Sequence, residues 1–430
     1  MLQSWQSSVP ASIGLRRRLR LALWMFAGVL ACPVFAAEPI DPLNRAVEFR
    51  RFDPGYDQHR AEHDDRIRLR VAKLAKRERD GVGAFCAHQI LREIEWLASS
   101  SAHWLRIAER LVDLDIELAH ARDFPDMQDQ DGAWGNCYTE WFLKLDATYD
   151  HIAELSRAGL SPPVPVRILD RVNSPRRLRQ HIVELVTSDL ARDGIERRRE
   201  LNETLSALTR LILRDQPIGY EWDERLKTAL TGLLLDELRN PATGYWSATY
   251  RSGGRLTQTT DLSITFHIVS YLKGQVPDWP QLIDTTLQIK DQRYPRGWLN
   301  RDGYMNHHNM DVVEIFRLGW PHASPEQRQA MGREIDRMLD WCLGQSWQPE
   351  GSFRMTGYDD SLEASYYFGT SFLARVGFFD QSRRFWTDRE LPASEDIKAA
   401  LQASLQRQIA ANAGGEGGFY YRIALAELQR

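Results

Sequence analysis

The feature that most restricts the fold is a short loop motif, a glycine followed closely by an aromatic residue, which returns between stretches of helical periodicity. It stands at Asp131-Gly132-Ala133-Trp134, Gly244-Tyr245-Trp246, Gly297-Trp298, Gly351-Ser352-Phe353 and Gly417-Gly418-Phe419. From Gly244 onward these loops fall 53 to 66 residues apart, about the length of two helices with their connections. Between them Leu205, Leu208, Leu211 and Leu213, and likewise Leu226, Leu230, Leu233 and Leu234, repeat at the three- and four-residue spacing of a buried helix stripe. Strand-like alternation is nearly absent. Ser324-Pro325-Glu326-Gln327 carries a capping residue, a proline for the first helical position and the glutamine of a capping box.

A repeated helix hairpin can bury its apolar stripe only against its neighbours, and closing the row into a ring removes the exposed ends. The expectation is an all-α chain, an α/α toroid of paired antiparallel helices, with one domain over residues 61–430 and an extended arm over 37–60. Glycine permits the tight loop and the aromatic side chain plugs back between helix ends. Trp134, Trp246 and Trp298 are therefore plugs first and sugar-stacking faces second.

The first 36 residues have the three-part plan of a secretory leader. Arg16, Arg17, Arg18 and Arg20 precede the apolar run Leu21 to Leu30, and Val34-Phe35-Ala36 offers a small-residue cleavage site. That run is shorter than the roughly 20 apolar residues of a membrane span, and no later segment qualifies. The expected location is periplasmic or secreted, with a lipid anchor at Cys32 as the lesser alternative.

Beyond the leader remain 51 basic and 59 acidic residues, a net charge of −8, which argues against a nucleic-acid partner. Cys86, Cys137 and Cys342 allow at most one disulfide and show no paired metal-ligand spacing. No metal or other cofactor is expected. No Walker motif, dinucleotide-binding glycine fingerprint or nucleophile elbow is present.

The densest polar cluster is Asn306-His307-His308-Asn309-Met310-Asp311-Val312-Val313-Glu314, opening a helix directly after a Gly-aromatic loop. On that helix His307, Asp311 and Glu314 share one face, either as reacting groups or as a structural His–Asp pair. A second cluster runs from Arg354 to Gly369 and holds Glu363, Tyr366 and Tyr367 within one turn. A phenol becomes a usable acid or base when a nearby cation stabilises its anion, and Arg354 is the candidate. Paired tyrosines on a helix are otherwise packing residues.

The Gly-aromatic loops resemble those of α/α-toroid enzymes: six-hairpin glycosidases, toroidal polysaccharide lyases and terpenoid cyclases. The order Asn306-His307, one long helix, Arg354, then Tyr366 or Tyr367 resembles the Asn, His, Arg and Tyr of alginate-lyase-type polysaccharide lyases over about 70 residues. Met305 stands where that family has a further Asn, and the Arg-to-Tyr spacing differs. The resemblance implies β-elimination on a uronate-containing polysaccharide or oligosaccharide. Asn306 and Arg354 would neutralise the carboxylate, His307 or Tyr366 would take the C5 proton, and Tyr366 or Tyr367 would protonate the departing O4. His308, Asn309 and Asp311, with the tryptophans, would bind substrate.

Two alternatives accompany this expectation. A glycoside hydrolase on the same toroid would use paired carboxylates, Asp131 or Glu140 with Asp311 or Asp359. A non-catalytic glycan-binding or scaffold protein of the envelope would show no convergence of His, Tyr and Asp in a cleft.

Overall fold

The computed structural model describes residues 69, 72–74, 76, 89–94, 96, 127–189, 192, 195–213, 220–252, 255–299, 303–355, 361–391, 393–412 and 418–429. The leader, the arm, Cys32, Cys86 and Asp359 lie outside them.

The described chain is mostly helical. Its α-helices from Trp141 onward are α1 (Trp141–Arg157), α2 (Pro175–Val186), α3 (Arg198–Leu213), α4 (Glu224–Gly232), α5 (Leu262–Tyr271), α6 (Trp279–Gln288), α7 (Asn306–Gly319), α8 (Pro325–Trp341), α9 (Leu362–Arg375), α10 (Ser394–Ala411) and α11 (Phe419–Gln429). The sequence signals start them locally. Ser174, Asp223, Asp261 and Ser361 each accept a backbone N–H of the turn they precede, and Ser324 with Gln327 completes the expected capping box. A wider π-turn extends α4 over Leu233–Leu238 and α8 over Cys342–Ser346.

The helices divide into two rows. The odd-numbered ones, α1, α3, α5, α7, α9 and α11, pack side by side in that order. The last returns to the first, where Arg422 pairs with Glu154 at 2.7 Å and the Arg157 guanidinium lies 4.7 Å over the Phe419 ring. The even-numbered helices alternate with them in the chain and form the second row, in which α2 meets α4 and α6 meets α8. Burial separates α7 from α8 as well, although α11 in the odd row has a single buried stripe of Tyr421, Ala424 and Leu428. In α8 only Met331, Ile335, Met338 and Leu339 are buried, a single amphipathic stripe, whereas in α7 burial runs unbroken from Asn309 to Phe316. A helix enclosed on nearly all sides stands between other elements, and one with a single buried stripe faces water.

The Gly-aromatic loops join the rows. At Gly244 the backbone is left-handed with φ of 73°, and an added Cβ would meet the Leu282 backbone at 2.9 Å, so only glycine fits. Trp246 then donates its indole N–H to the Leu234 carbonyl at 2.6 Å. Trp298 does the same to Thr286 at 2.7 Å, again 12 residues upstream. The following odd-numbered helix grips the loop backbone through a hydroxyl: Thr148 at Trp134, Thr265 at Trp246 and Ser365 at Phe353.

Strands are few and short. β1 (Thr187–Ser188) runs parallel to β2 (Thr249–Ser252), which forms a hairpin with β3 (Arg255–Gln258), and β4 (Trp347–Gln348) pairs with β5 (Ser352–Phe353). Cys137 is engaged in a disulfide, while Cys342 is buried and free. Among the described residues no helix is long and apolar enough to cross a membrane.

Candidate functional site

Along the odd-numbered helices the buried apolar sequence is broken by polar residues one or two turns apart: Asp146 and Asp150 on α1, Glu203 and Arg210 on α3, His267 and Tyr271 on α5, His307 and Asp311 on α7, Tyr367 and Arg375 on α9. Four-residue spacing keeps such side chains on one face. His267, His307, Tyr367, Asp150 and Arg210 each keep part of their surface within reach of water, although surrounding protein desolvates all five. Partly open yet desolvated, these five side chains define the candidate lining.

One part of this lining centres on Arg210. Its guanidinium lies 3.5 Å over the Tyr149 ring and 5.1 Å from the centre of the Tyr271 ring, and its Nε donates to the Ser206 carbonyl at 3.2 Å. It forms no ion pair with a carboxylate among the described residues. Tyr271 stacks on His267 with centroids 5.6 Å apart and shares a 3.4 Å hydrogen bond with Ser206. Asn202 orients the imidazole. Its amide nitrogen donates to Ser263 Oγ at 3.2 Å, so its carbonyl oxygen faces His267 Nδ1 at 3.0 Å. A carbonyl oxygen only accepts, which places the proton on Nδ1 and leaves the Nε2 lone pair free. Burial, with Arg210 and His307 adding to it, pushes the His267 pKa down to about 3; the ring is neutral.

Two further groups adjoin. Asp146 pairs with Arg92 at 2.7 Å. Burial and the Asp146 charge raise the neighbouring Asp150 carboxyl to about 7, and the same two causes raise Glu203. On α9, burial lifts the Tyr367 phenol to about 12 against the opposing influence of Arg375. Arg375 itself reaches Glu314 at 3.3 Å.

The expected site residues fall in different surroundings. His307 belongs to the lining, stacked 3.9 Å from Phe368 and held neutral, with burial pushing its pKa down to about 4. Tyr367 belongs to it as well. His308, half-buried, is lowered to about 3 by burial, then by His307, Arg296 and Arg198, and lies against the Gly297 backbone. No hydrogen bond joins His307 to Asp311, so the structural pair does not form. Asp311 is 2% exposed, and burial raises its carboxyl well above the usual range.

Asn306 does not face the lining; its amide donates to Ser346 Oγ at 2.9 Å, tying α7 to the end of the α8 extension. Asn309 is fully buried between helices and touches no open space. Tyr366 turns the other way from Tyr367, and its hydroxyl bonds Ser404 of α10 at 2.7 Å, because adjacent helical residues point about 100° apart. Arg354 is exposed, and the cation beside Tyr367 is Arg375. Trp134, Trp246 and Trp298 are 6%, 1% and 0% exposed and present no ring face to a sugar. Asp131 caps the Ala133 N–H at 3.0 Å and sits 3.7 Å from Lys144, and Glu140 is the residue preceding α1. Neither joins Asp311 as a carboxylate pair.

Sequence reasoning did not single out Arg210, His267, Tyr271, Asp146, Asp150, Glu203 or Arg375 of this candidate lining. A usable signal existed, namely isolated polar residues at four-residue spacing inside otherwise apolar helices such as Leu262–Tyr271. A separate groove between α2 and α4, lined by Leu178, Arg179, Ala229, Gly232 and Glu237, contains no histidine or tyrosine. Among the described residues no group of three or more His, Cys, Asp or Glu is arranged to hold a metal ion. No family model matches the chain, and neither the curated proteins nor the solved structures contain a match to it.

Proposed function

We propose that the six odd-numbered helices are the inner wall of an α/α toroid, and that the chain is an exported enzyme cleaving a uronate-bearing glycan by β-elimination within it. The observation that carries this is the Arg210 cluster: an arginine that forms no ion pair among the described residues, although the charges of Asp146 and Asp150 act on it, a phenol beside it, and a neutral imidazole whose free lone pair is set by Asn202. Removing a proton next to an ionised carboxylate builds two negative charges on one group, so a cation must share the load. Arg210, whose Nε is engaged with the Ser206 carbonyl, would offer its remaining guanidinium N–H groups to that carboxylate. The incoming negative charge also offsets the repulsion by which Arg210 depresses His267, making the imidazole a stronger base when substrate is bound. His267 then takes the C5 proton and Tyr271 delivers one to the departing O4. The disulfide at Cys137 supports the exported location, since such bonds persist in oxidising compartments.

A second reading has its own observation. Asp150, with a carboxyl raised to about 7, lies beside Asp146, which is paired with Arg92. Two neighbouring carboxyls in contrasting environments suit the acid and base of a glycoside hydrolase.

One screen separates the two. Mature protein is incubated with uronate and neutral glycans while ultraviolet absorbance of unsaturated ends and reducing ends are followed in parallel. β-Elimination produces both signals, with losses of about 10²–10⁴-fold in His267→Ala and Tyr271→Phe. Reducing ends alone, abolished by Asp150→Asn, would transfer the assignment to the hydrolase. Absence of either signal on every glycan would refute both.

A further inference from the structure

The tryptophans expected to stack on sugar are sealed inside the fold, yet a different set of aromatic rings lies open along the lining. Phe368 stacks on His307 at 3.9 Å with the planes 13° apart. Tyr367 follows at 5.0 Å from Phe368, Tyr420 at 5.0 Å from Tyr367, and Phe419 at 5.2 Å from Tyr420. The row ends beneath the Arg157 guanidinium, 4.7 Å from Phe419. It crosses from α7 over α9 and α11 to α1. Unlike the buried plugs Trp134, Trp246, Trp298 and Phe353, all four rings beyond His307 remain partly open to water, including Phe419 of the last Gly-aromatic loop, which was expected to plug, and Tyr420 is 38% exposed.

Rings that served only to pack the seam between α11 and α1 would be sealed like Trp298. The local construction instead holds them at the surface. Glu363 at the start of α9 accepts the backbone N–H of Gly418 at 3.0 Å and of Tyr420 at 2.7 Å, clamping the first turn of α11. Free N–H groups at a helix start need such a partner. The clamp fixes Phe419 and Tyr420 where the lining passes from α9 to α1. At its other end the row adjoins the proposed reaction centre, because α7, which carries His307, packs directly on α5, which carries His267 and Tyr271.

Resting on the glycan reading above, we propose that Phe368, Tyr367, Tyr420 and Phe419 form a stacking track for successive sugar rings of a polymeric substrate. The C–H faces of pyranose rings are apolar and their edges are hydroxylated, so half-exposed aromatic rings bury the first while water or polar side chains meet the second. The track explains how a lining with mixed charges holds a long chain: stacking supplies affinity at several positions, and charge is used only where the uronate reacts. It follows that the enzyme prefers polymers and long oligosaccharides over disaccharides.

The test uses mature full-length protein in affinity electrophoresis through gels containing alginate, pectate, hyaluronan or neutral laminarin, with melting recorded for every variant. Wild type is expected to be retarded by at least one polymer. Tyr420→Ala should weaken that binding about tenfold, the loss of one good aromatic contact, with melting unchanged, and Tyr420→Phe should bind like wild type. Retention of polymer affinity in both Tyr420→Ala and Phe419→Ala overturns the track, as does wild-type protein that binds none of the four polymers. A loss of binding that tracks a fall in melting temperature overturns it too, since the ring is then structural. The track and the lyase fail differently. Stacking-dependent binding without any cleavage leaves the track standing and removes the lyase, whereas cleavage with an unchanged KM for polymer in Tyr420→Ala removes the track alone.

Discussion

Replacing Trp298 by phenylalanine separates a plug from a sugar platform. The indole is fully buried, and its N–H bonds the Thr286 carbonyl at 2.7 Å. Thr286 lies in the last turn of α6, where carbonyls have no helical partner. Trp298→Phe leaves that buried carbonyl unmatched, a loss of about 1–3 kcal/mol, and the smaller ring adds about 1 kcal/mol in lost packing. Trp298→Ala should lose at least about 3–5 kcal/mol. For a chain of order 400 residues the unfolding entropy is about 0.8 kcal/mol per kelvin, so a 3 kcal/mol loss lowers Tm by about 4 °C. Calorimetry of wild type and both variants at neutral pH measures this, with urea denaturation as a second estimate. Glycan affinity of the folded Trp298→Phe protein should equal that of wild type. A variant that melts like wild type but loses glycan binding would refute the plug, because the ring would then have to face a ligand.

Gly297→Ala should be at least as damaging as Trp298→Phe, since its Cβ would come within 1.9 Å of the Ile289 carbonyl; far-ultraviolet circular dichroism through a thermal ramp reads the loss. His181 on α2 is 6% exposed, its Nε2 has no hydrogen-bond partner, and burial lowers its pKa to about 4. As pH falls from about 6.5 to 4 the unfolded chain takes up a proton that the folded one refuses, which removes up to about 3 kcal/mol of stability, and His181→Phe should flatten the urea midpoint across that window. Asp150 shifts the opposite way: its folded pKa of about 7 exceeds the unfolded value, so its burden grows as pH rises from about 4 to 7. Asp150→Asn should therefore raise Tm at pH 8 and leave it unchanged below about pH 4. Reduction of the Cys137 disulfide should lower stability by about 2–4 kcal/mol, while Cys342, whose thiol is pushed up by burial, should resist thiol reagents until the protein unfolds.

Helix positions and the two-helix repeat were legible because they rest on local chemistry. Caps such as Ser324 act on the turn that follows them, and an apolar stripe reports its own helix. The role of glycine before tryptophan was legible for the same reason, because a left-handed backbone at Gly244 is a property of a few residues. The candidate site was legible only in part. His307 and Tyr367, singled out because they sit in dense polar clusters, lie on the candidate lining, but Asn306, Asn309, Tyr366 and Arg354 in the same clusters point between helices or into solvent. A cluster along the chain does not specify a direction, and on a helix one residue of offset turns a side chain by about 100°. That turn sends Tyr366 to Ser404 and Tyr367 to Arg375.

What the amino-acid sequence determined by itself is therefore the part of this protein made by short-range forces: helical content, helix starts, the glycine-tight loops and their aromatic plugs. Which helices stand in the enclosed row, and which of their polar residues share one space, was decided by tertiary packing. Arg210, His267 and Tyr271 come from two different helices, and Tyr420 lies far down the chain from the Asp150 and Arg92 whose charges act on it. Only the return of α11 to α1, through Arg422 with Glu154 and Arg157 over Phe419, brings those ends together. No local pattern encodes that meeting, because its free energy arises from surfaces that exist only after the helices have packed.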